Sequence, residues 1–97
     1  MGATKIEHYS KETIQLAKLA NALGHPARIT IVKILKENPY FRNVEFQSIL
    51  KLSQTAVHSH LLKLKTANII NFNYFPHGYH VHLITENLDE LNYFIRD

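Results

Sequence analysis

The chain has no cysteine and only three glycines and three prolines in 97 residues. Without cysteine there are no disulfides, no thiolate metal sites, no cysteine nucleophile and no thiol-based redox sensing. The glycines never form a loop of the kind that cradles phosphate, and the acids lie on helices and at the C-terminus rather than in pairs. No nucleophile stands beside a base. The chain therefore does not read as an enzyme, and no cofactor is expected. No apolar run approaches bilayer-spanning length, and the first residues lack the basic start and apolar core of a signal peptide. The expectation is a cytoplasmic protein with no membrane partner. Positive charge is also missing from one region, since residues 66–95 contain no Lys or Arg.

What is present suits one folded domain over residues 1–97, with residues 1–9 as a loose N-terminal arm. Hydrophobic residues at 45% and charged residues at 20% place the chain among ordinary folded proteins rather than disordered ones. The net charge of +3 is unevenly spread. Residues 1–65 hold ten Lys and Arg against four acids, whereas residues 66–97 hold one Arg against four acids. The basic part suits a polyanionic partner, although scattered solvated lysines give the same count.

A first helix starts near Ser10, with Glu12 against the positive end of its dipole, and runs through Ile14, Ala17, Leu19, Ala20 and Leu23 to a left-handed stop at Gly24. Pro26 opens a second, mostly buried helix to about Lys36, carrying Ile29, Ile31, Val32, Ile34 and Leu35, and Asn38-Pro39 ends it. Asn43 is placed to cap a third helix over residues 44–50, with Val44, Phe46, Ile49 and Leu50 facing the core. Lys51-Leu52 turns the chain into a fourth helix, capped by Ser53 and ended by Asn68.

The fourth helix organises the rest. Val57, Leu61 and Leu64 recur at helical spacing and make one apolar stripe, while Gln54, Thr55, His58, Ser59, Lys63 and Lys65 occupy the opposite face. Short polar groups near the N-terminal end, with positive charge further on, match a helix that enters a DNA major groove. Its first turns then meet base edges and its lysines meet phosphates. An amphipathic surface helix has a similar layout, so the flanks decide.

From Ile69 the period changes to two. Ile70, Phe72 and Tyr74 alternate with Asn71 and Asn73, Pro76-His77-Gly78 supplies a turn, and Tyr79, Val81 and Leu83 alternate with His80 and His82. This is a β-hairpin. A last helix over residues 87–95 shows capping-box spacing between Asn87 and Glu90 and an apolar face of Leu88, Leu91, Phe94 and Ile95. The fold class is mainly α (α+β), a winged helix-turn-helix of about five helices with a two-stranded hairpin wing. The first and last helices offer more apolar surface than so small a domain hides internally, so a homodimer through them is expected.

Three segments in order carry a family resemblance. Leu19-Ala-Asn-Ala-Leu-Gly-His-Pro-Ala-Arg-Ile-Thr-Ile-Val-Lys-Ile-Leu35, Leu52-Ser-Gln-Thr-Ala-Val-His-Ser-His-Leu-Leu-Lys-Leu64 and Gly78-Tyr-His-Val-His-Leu83 resemble the start, recognition helix and second wing strand of the ArsR/SmtB-type bacterial winged-helix repressors. The resemblance implies a homodimeric repressor on double-stranded operator DNA. Gln54, Thr55, His58 and Ser59 then face bases or nearby phosphates, Lys63 faces the backbone and Ser53 lies at the start of the same surface. His60 matches a family histidine at the inner edge of the helix and reads as structural, hydrogen-bonded within the fold.

The departures are His58 for the usual serine, Lys51 at the usual turn glycine, and Asn68 for the glycine after the recognition helix. With no cation on the wing, its phosphate contact falls to His77 at the tip, to backbone N–H groups or to protonated histidines. The family's thiol metal site is impossible without cysteine, and the last helix has no histidine for its other metal site. His77, His80 and His82 read as solvent-facing wing residues, so no metal is expected. The competing reading is a winged-helix module that binds protein.

Overall fold

Serine side chains start two of the helices by satisfying N–H groups that have no partner within the helix. The computed structural model describes residues 8–96, so most of the arm expected over residues 1–9 lies outside the described residues. Helix α1 spans Lys11–Ala22, α2 Pro26–Glu37, α3 Glu45–Leu50, α4 Gln54–Thr66 and α5 Thr85–Arg96; strands β1, β2 and β3 span Phe41–Arg42, Ile70–Phe75 and Gly78–Leu83. Ser10 Oγ accepts from the Thr13 N–H at 3.1 Å, and Ser53 Oγ accepts from Ala56 at 3.1 Å. At α2 the cap is His25, whose Nδ1 accepts from the Ala27 N–H at 3.0 Å.

The hairpin closes through the two residues Pro76 and His77, with Phe75 opposite Gly78. Gly78 has φ +154°, and a Cβ there would stand 2.7 Å from Asn43 Oδ1, so a side chain would be strained and would displace the Asn43 amide. The expected two-stranded wing gains a third strand, because β1 pairs antiparallel with β3 and gives the order β1-β3-β2.

The core is one cluster to which every element contributes, α3 through Phe46 with the flanking Leu50, and β1 and α5 only through the flanking Phe41 and Leu88. Leu16, Leu19 and Ala22 come from α1, Ile31, Val32 and Leu35 from α2, and Val57, Leu61 and Leu64 from α4. Ile69, Ile70, Phe72, Tyr79 and Val81 close it from the sheet side.

Several expectations change at the edges. On α1 the inward stripe is Leu16, Leu19 and Ala22, while Ala17 and Ala20 are exposed; alanine is too small to decide a face against leucine. Gly24 is not left-handed, since α1 closes at Leu23 in a right-handed turn with N–H groups bonded back to Leu19 and Asn21. Ile29 of α2 is 44% exposed. In α3 only Phe46 is buried, with Val44 and Ile49 exposed, because fewer than two turns present few positions inward.

Asn43 does not cap α3. Its Oδ1 accepts from the Tyr79 N–H at 3.1 Å while its own N–H donates to the Tyr79 carbonyl at 3.0 Å, so it extends the sheet instead. Helix α5 starts two residues before Asn87, which donates from its amide to the Asn68 carbonyl and ties α5 to the end of α4. Of the apolar face expected on α5, Leu88 packs on the core, and the side chains of Leu91, Phe94 and Ile95 lie outside the described residues. Helices α1 and α5 pack on each other. Among the described residues no helix is long and apolar enough to cross a membrane.

The core and the turns give separable predictions. Leu61, with no exposed surface, should lose about 2–5 kcal/mol on Leu61→Ala. Lys51 sits at φ 57°, ψ 44°, a left-handed conformation that costs a side chain about 1–2 kcal/mol. Lys51→Gly should therefore raise stability by about 0.5–1 kcal/mol after the added chain entropy of glycine is subtracted. Urea denaturation of both variants measures the two effects.

Candidate nucleic-acid interface

Helix α4 is held at both ends by left-handed residues that are not glycine. Before it, Lys51 turns the chain and the Leu52 N–H reaches back to the Gln47 carbonyl at 3.2 Å. After it, Asn68 at φ 60° lets the Ile69 N–H bond to the Leu64 carbonyl at 3.0 Å and the Asn68 N–H to Lys65 at 2.9 Å. This doubled bond, with Ile69 and Leu64 both fully buried, is a Schellman stop. The left-handed stop expected at Asn68 and the cap expected at Ser53 are both observed.

With the Val57, Leu61 and Leu64 side turned inward, Gln54, Thr55, His58, Ser59 and Lys63 are all exposed on one face, and Ser53 is exposed at its start. Thr55, His58, Ser59 and Lys63 line a groove shared with Lys18 and Asn21 of α1. Gln54 and His58 line a second, smaller groove with Asn43, Gln47 and Tyr79. Lys65, expected on this face, is half-buried, and its Nζ lies 5.6 Å from the centre of the Phe72 ring. Its long alkyl stem lies along the apolar edge of the sheet while the charge stays near the ring face.

His58 is exposed but not free to rotate, because its Nδ1 is 2.8 Å from the Tyr79 hydroxyl. Tyr79 packs on Phe72 and Tyr74, with ring centres 4.3 and 5.6 Å away. Burial, followed by the neighbouring Tyr74, pushes the Tyr79 phenol up from its ordinary value near 10. The sequence signalled Tyr79 only as an inward strand residue; its contact to His58 depends on how the sheet docks against α4.

His77 is exposed at the hairpin tip and is not among the residues lining the two grooves. The wing does carry a cation that sequence order concealed. Arg42 of β1 is exposed and its guanidinium carbon lies 6.0 Å from the centre of the Phe75 ring. Strand pairing alone brings it there, since Arg42 sits opposite His80. His80 and His82 are half-buried rather than solvent-facing, each with its ring centre 6.4 Å from Tyr40, and Phe75 lies 5.0 Å from His80. Among the described residues no group of three or more His, Cys, Asp or Glu is placed to hold a metal ion.

His60 faces inward at the other edge of α4. Its ring centre lies 4.4 Å from that of His25, so it packs on the α2 cap, and no hydrogen bond of its ring is found among the described residues. The structural role expected for His60 thus rests on ring packing instead of hydrogen bonding.

Three helices, a left-handed turn into an exposed fourth helix and a hairpin sheet define the class: a winged helix-turn-helix domain. No family model matches the chain. A curated protein of Methanocaldococcus jannaschii, described as an uncharacterized HTH-type transcriptional regulator, is 36% identical over 58 residues; the match spans 59% of this chain and 59% of that protein. Among solved structures, HlyU of Vibrio cholerae matches with a TM-score of 0.76 at 25% identity, over 91% of this chain and 96% of its own. A homodimeric winged helix-turn-helix DNA-binding domain of Mycobacterium bovis, described as a possible ArsR-family transcriptional regulator, matches with a TM-score of 0.74 at 14% identity, over 99% of this chain and 86% of its own. Some of the structural neighbours are described as ArsR-like or ArsR-family transcriptional regulators, and their fold agrees with the resemblance carried by residues 19–35, 52–64 and 78–83.

Acidification tests the His25–His60 contact. Burial first, then the charges of His25 and Arg28, hold the His60 imidazole below its ordinary value near 6.5. The unfolded chain therefore binds this proton more readily than the folded one. The stability contributed by neutral His60 is full above about pH 6.5 and is lost as pH falls through the lowered folded value. Thermal melts across that range should show a falling Tm, and His60→Gln should flatten the slope.

Proposed function

We propose that this chain is a sequence-specific DNA-binding regulator of transcription of the ArsR type, acting in the cytoplasm as a homodimeric repressor. The observation that supports it most is the division of α4 into a fully buried apolar stripe and an exposed polar face that ends in Lys63. A helix of this kind docks in a major groove with its N-terminal side chains at base edges and its cation at phosphate.

In this reading Gln54, Thr55, His58 and Ser59 meet bases or adjacent phosphates. Ser53 Oγ already accepts from Ala56, which leaves its hydroxyl hydrogen for a phosphate oxygen. Lys63 contacts the backbone, with Lys18 across the same groove. His77 and Arg42 serve the flanking strand, which gives the wing a cation despite its own lack of Lys and Arg. Two protomers, joined through α1 and α5, set the two α4 helices in successive major grooves about 34 Å apart. The exposed Ala17 and Ala20 face of α1 is available to that contact.

Selection from a random DNA pool at two salt concentrations tests the reading. The expected return is a palindrome whose affinity falls steeply with salt. Lys63→Ala should weaken binding to all sequences and reduce the salt slope by about one, whereas Gln54→Ala should alter base preference at one position of each half-site by about 1–3 kcal/mol. Binding that is indifferent to salt and sequence would overturn the assignment.

A further inference from the structure

The exposed His58 and the largely buried Tyr79 form a polar contact between side chains of two different elements, with Nδ1 to hydroxyl at 2.8 Å and the rings edge-on at 6.1 Å. Tyr79 cannot move to suit the imidazole. Its backbone exchanges two hydrogen bonds with Asn43, and its ring is packed on Phe72 and Tyr74. The imidazole must therefore suit Tyr79.

Two arrangements of the shared hydrogen are chemically distinct. If Nδ1–H donates to the phenol oxygen, the phenol hydrogen needs another acceptor, and among the described residues the Tyr79 hydroxyl has no hydrogen-bond partner except His58. If the phenol donates to the Nδ1 lone pair, the contact satisfies both groups and leaves the imidazole proton on Nε2. Burial of Tyr79 also keeps the phenol protonated and able to donate.

We infer that Tyr79 is a positioning residue for His58: its hydroxyl pins the imidazole as the Nε2–H tautomer and presents that N–H outward as a donor to an acceptor atom on a base edge in the major groove. The donor geometry stands on the contact itself, and the base partner rests on the DNA-binding reading above. Serine or threonine at such a position can donate or accept and reads either kind of base edge, whereas a pinned imidazole offers only a donor, which suits guanine N7 and O6, adenine N7 and thymine O4 and discriminates against cytosine, whose major-groove edge presents only an amino donor. Gln54 and Gln47, which line the same groove, carry amides that can supply the acceptor His58 lacks.

Two measurements test this, and their failures are distinguishable. Long-range proton–nitrogen spectra of the free chain in mildly alkaline buffer, with His58→Gln to assign the ring, should show a single tautomer protonated at Nε2. Tyr79→Phe, which keeps the packing ring, should turn it into a mixture. A native ring protonated at Nδ1, or one unchanged in Tyr79→Phe, overturns the inference. In pool selection, Tyr79→Phe should lower the discrimination against cytosine at one position of each half-site roughly five- to tenfold, and should do nothing further in a His58→Ala background. A Tyr79→Phe chain that is less stable but keeps every base preference also overturns it. If the native chain selects no sequence, the DNA reading fails, and the imidazole spectrum alone decides the tautomer.

Discussion

Burial of Val57, Leu61 and Leu64 is the constraint that orders the remainder of the structure. Each side chain taken out of water contributes about 1.5–3 kcal/mol, and the three share one side of a single thirteen-residue helix. Partners must come from elements distant in sequence: Leu19 from α1, Ile31 and Leu35 from α2, Phe46 from α3, and Ile69, Ile70 and Val81 from the sheet side. Once those groups converge, the rotation of α4 about its axis is settled. The polar side chains on the far side of the helix from the stripe, Thr55, His58, Ser59 and Lys63 among them, then face outward. Exposure of the candidate interface is therefore a consequence of packing.

Rotation alone does not determine where the helix begins and ends, and here the backbone takes over. Lys51 and Asn68 both adopt left-handed conformations that a glycine adopts at less cost. Asparagine tolerates that region through local hydrogen bonding, whereas lysine has no such compensation, and strain at Lys51 persists because Phe46 before it and Val57 after it are locked in the core. Polar ties then join neighbours that the apolar core does not orient. Asn43 binds Tyr79, Tyr79 binds His58, and Asn87 binds Asn68. Through the first two, the start of α3, the wing and the exposed face of α4 share one chain of contacts.

Charge follows the same division. The basic excess lies in the segment that forms α1 to α4, and α5 carries an acidic first turn. Between them the wing is neutral in sequence, yet Arg42 reaches Phe75 from β1 and Lys65 reaches Phe72 from the end of α4. Both cations lie against aromatic rings, which limits their freedom and places positive charge at the two margins of the sheet. For a polyanion lying along α4, this supplies cations beside the helix and on the wing.

Residue order was enough to place the helix start near Ser10, the cap at Ser53, the stop at Asn68, the apolar stripe of α4, the change to strand period after Ile69 and the turn at Pro76-His77-Gly78. These depend on interactions within a few residues: a hydroxyl meeting an N–H one turn away, a side-chain period, a backbone angle. Tertiary structure alone decided what crosses between elements. Asn43 abandoned its expected cap because a β3 N–H offered it a better partner, β1 joined the sheet, Ile29, Val44 and Ile49 stayed outside because nothing among the described residues covers them, and Arg42 reached the wing. His58 acquired a fixed orientation from a phenol twenty-one residues away. Periodicity states which residues share a face. Only the arrangement of the other elements settles what that face meets, because the energy of a contact depends on both of its partners and a local pattern contains one.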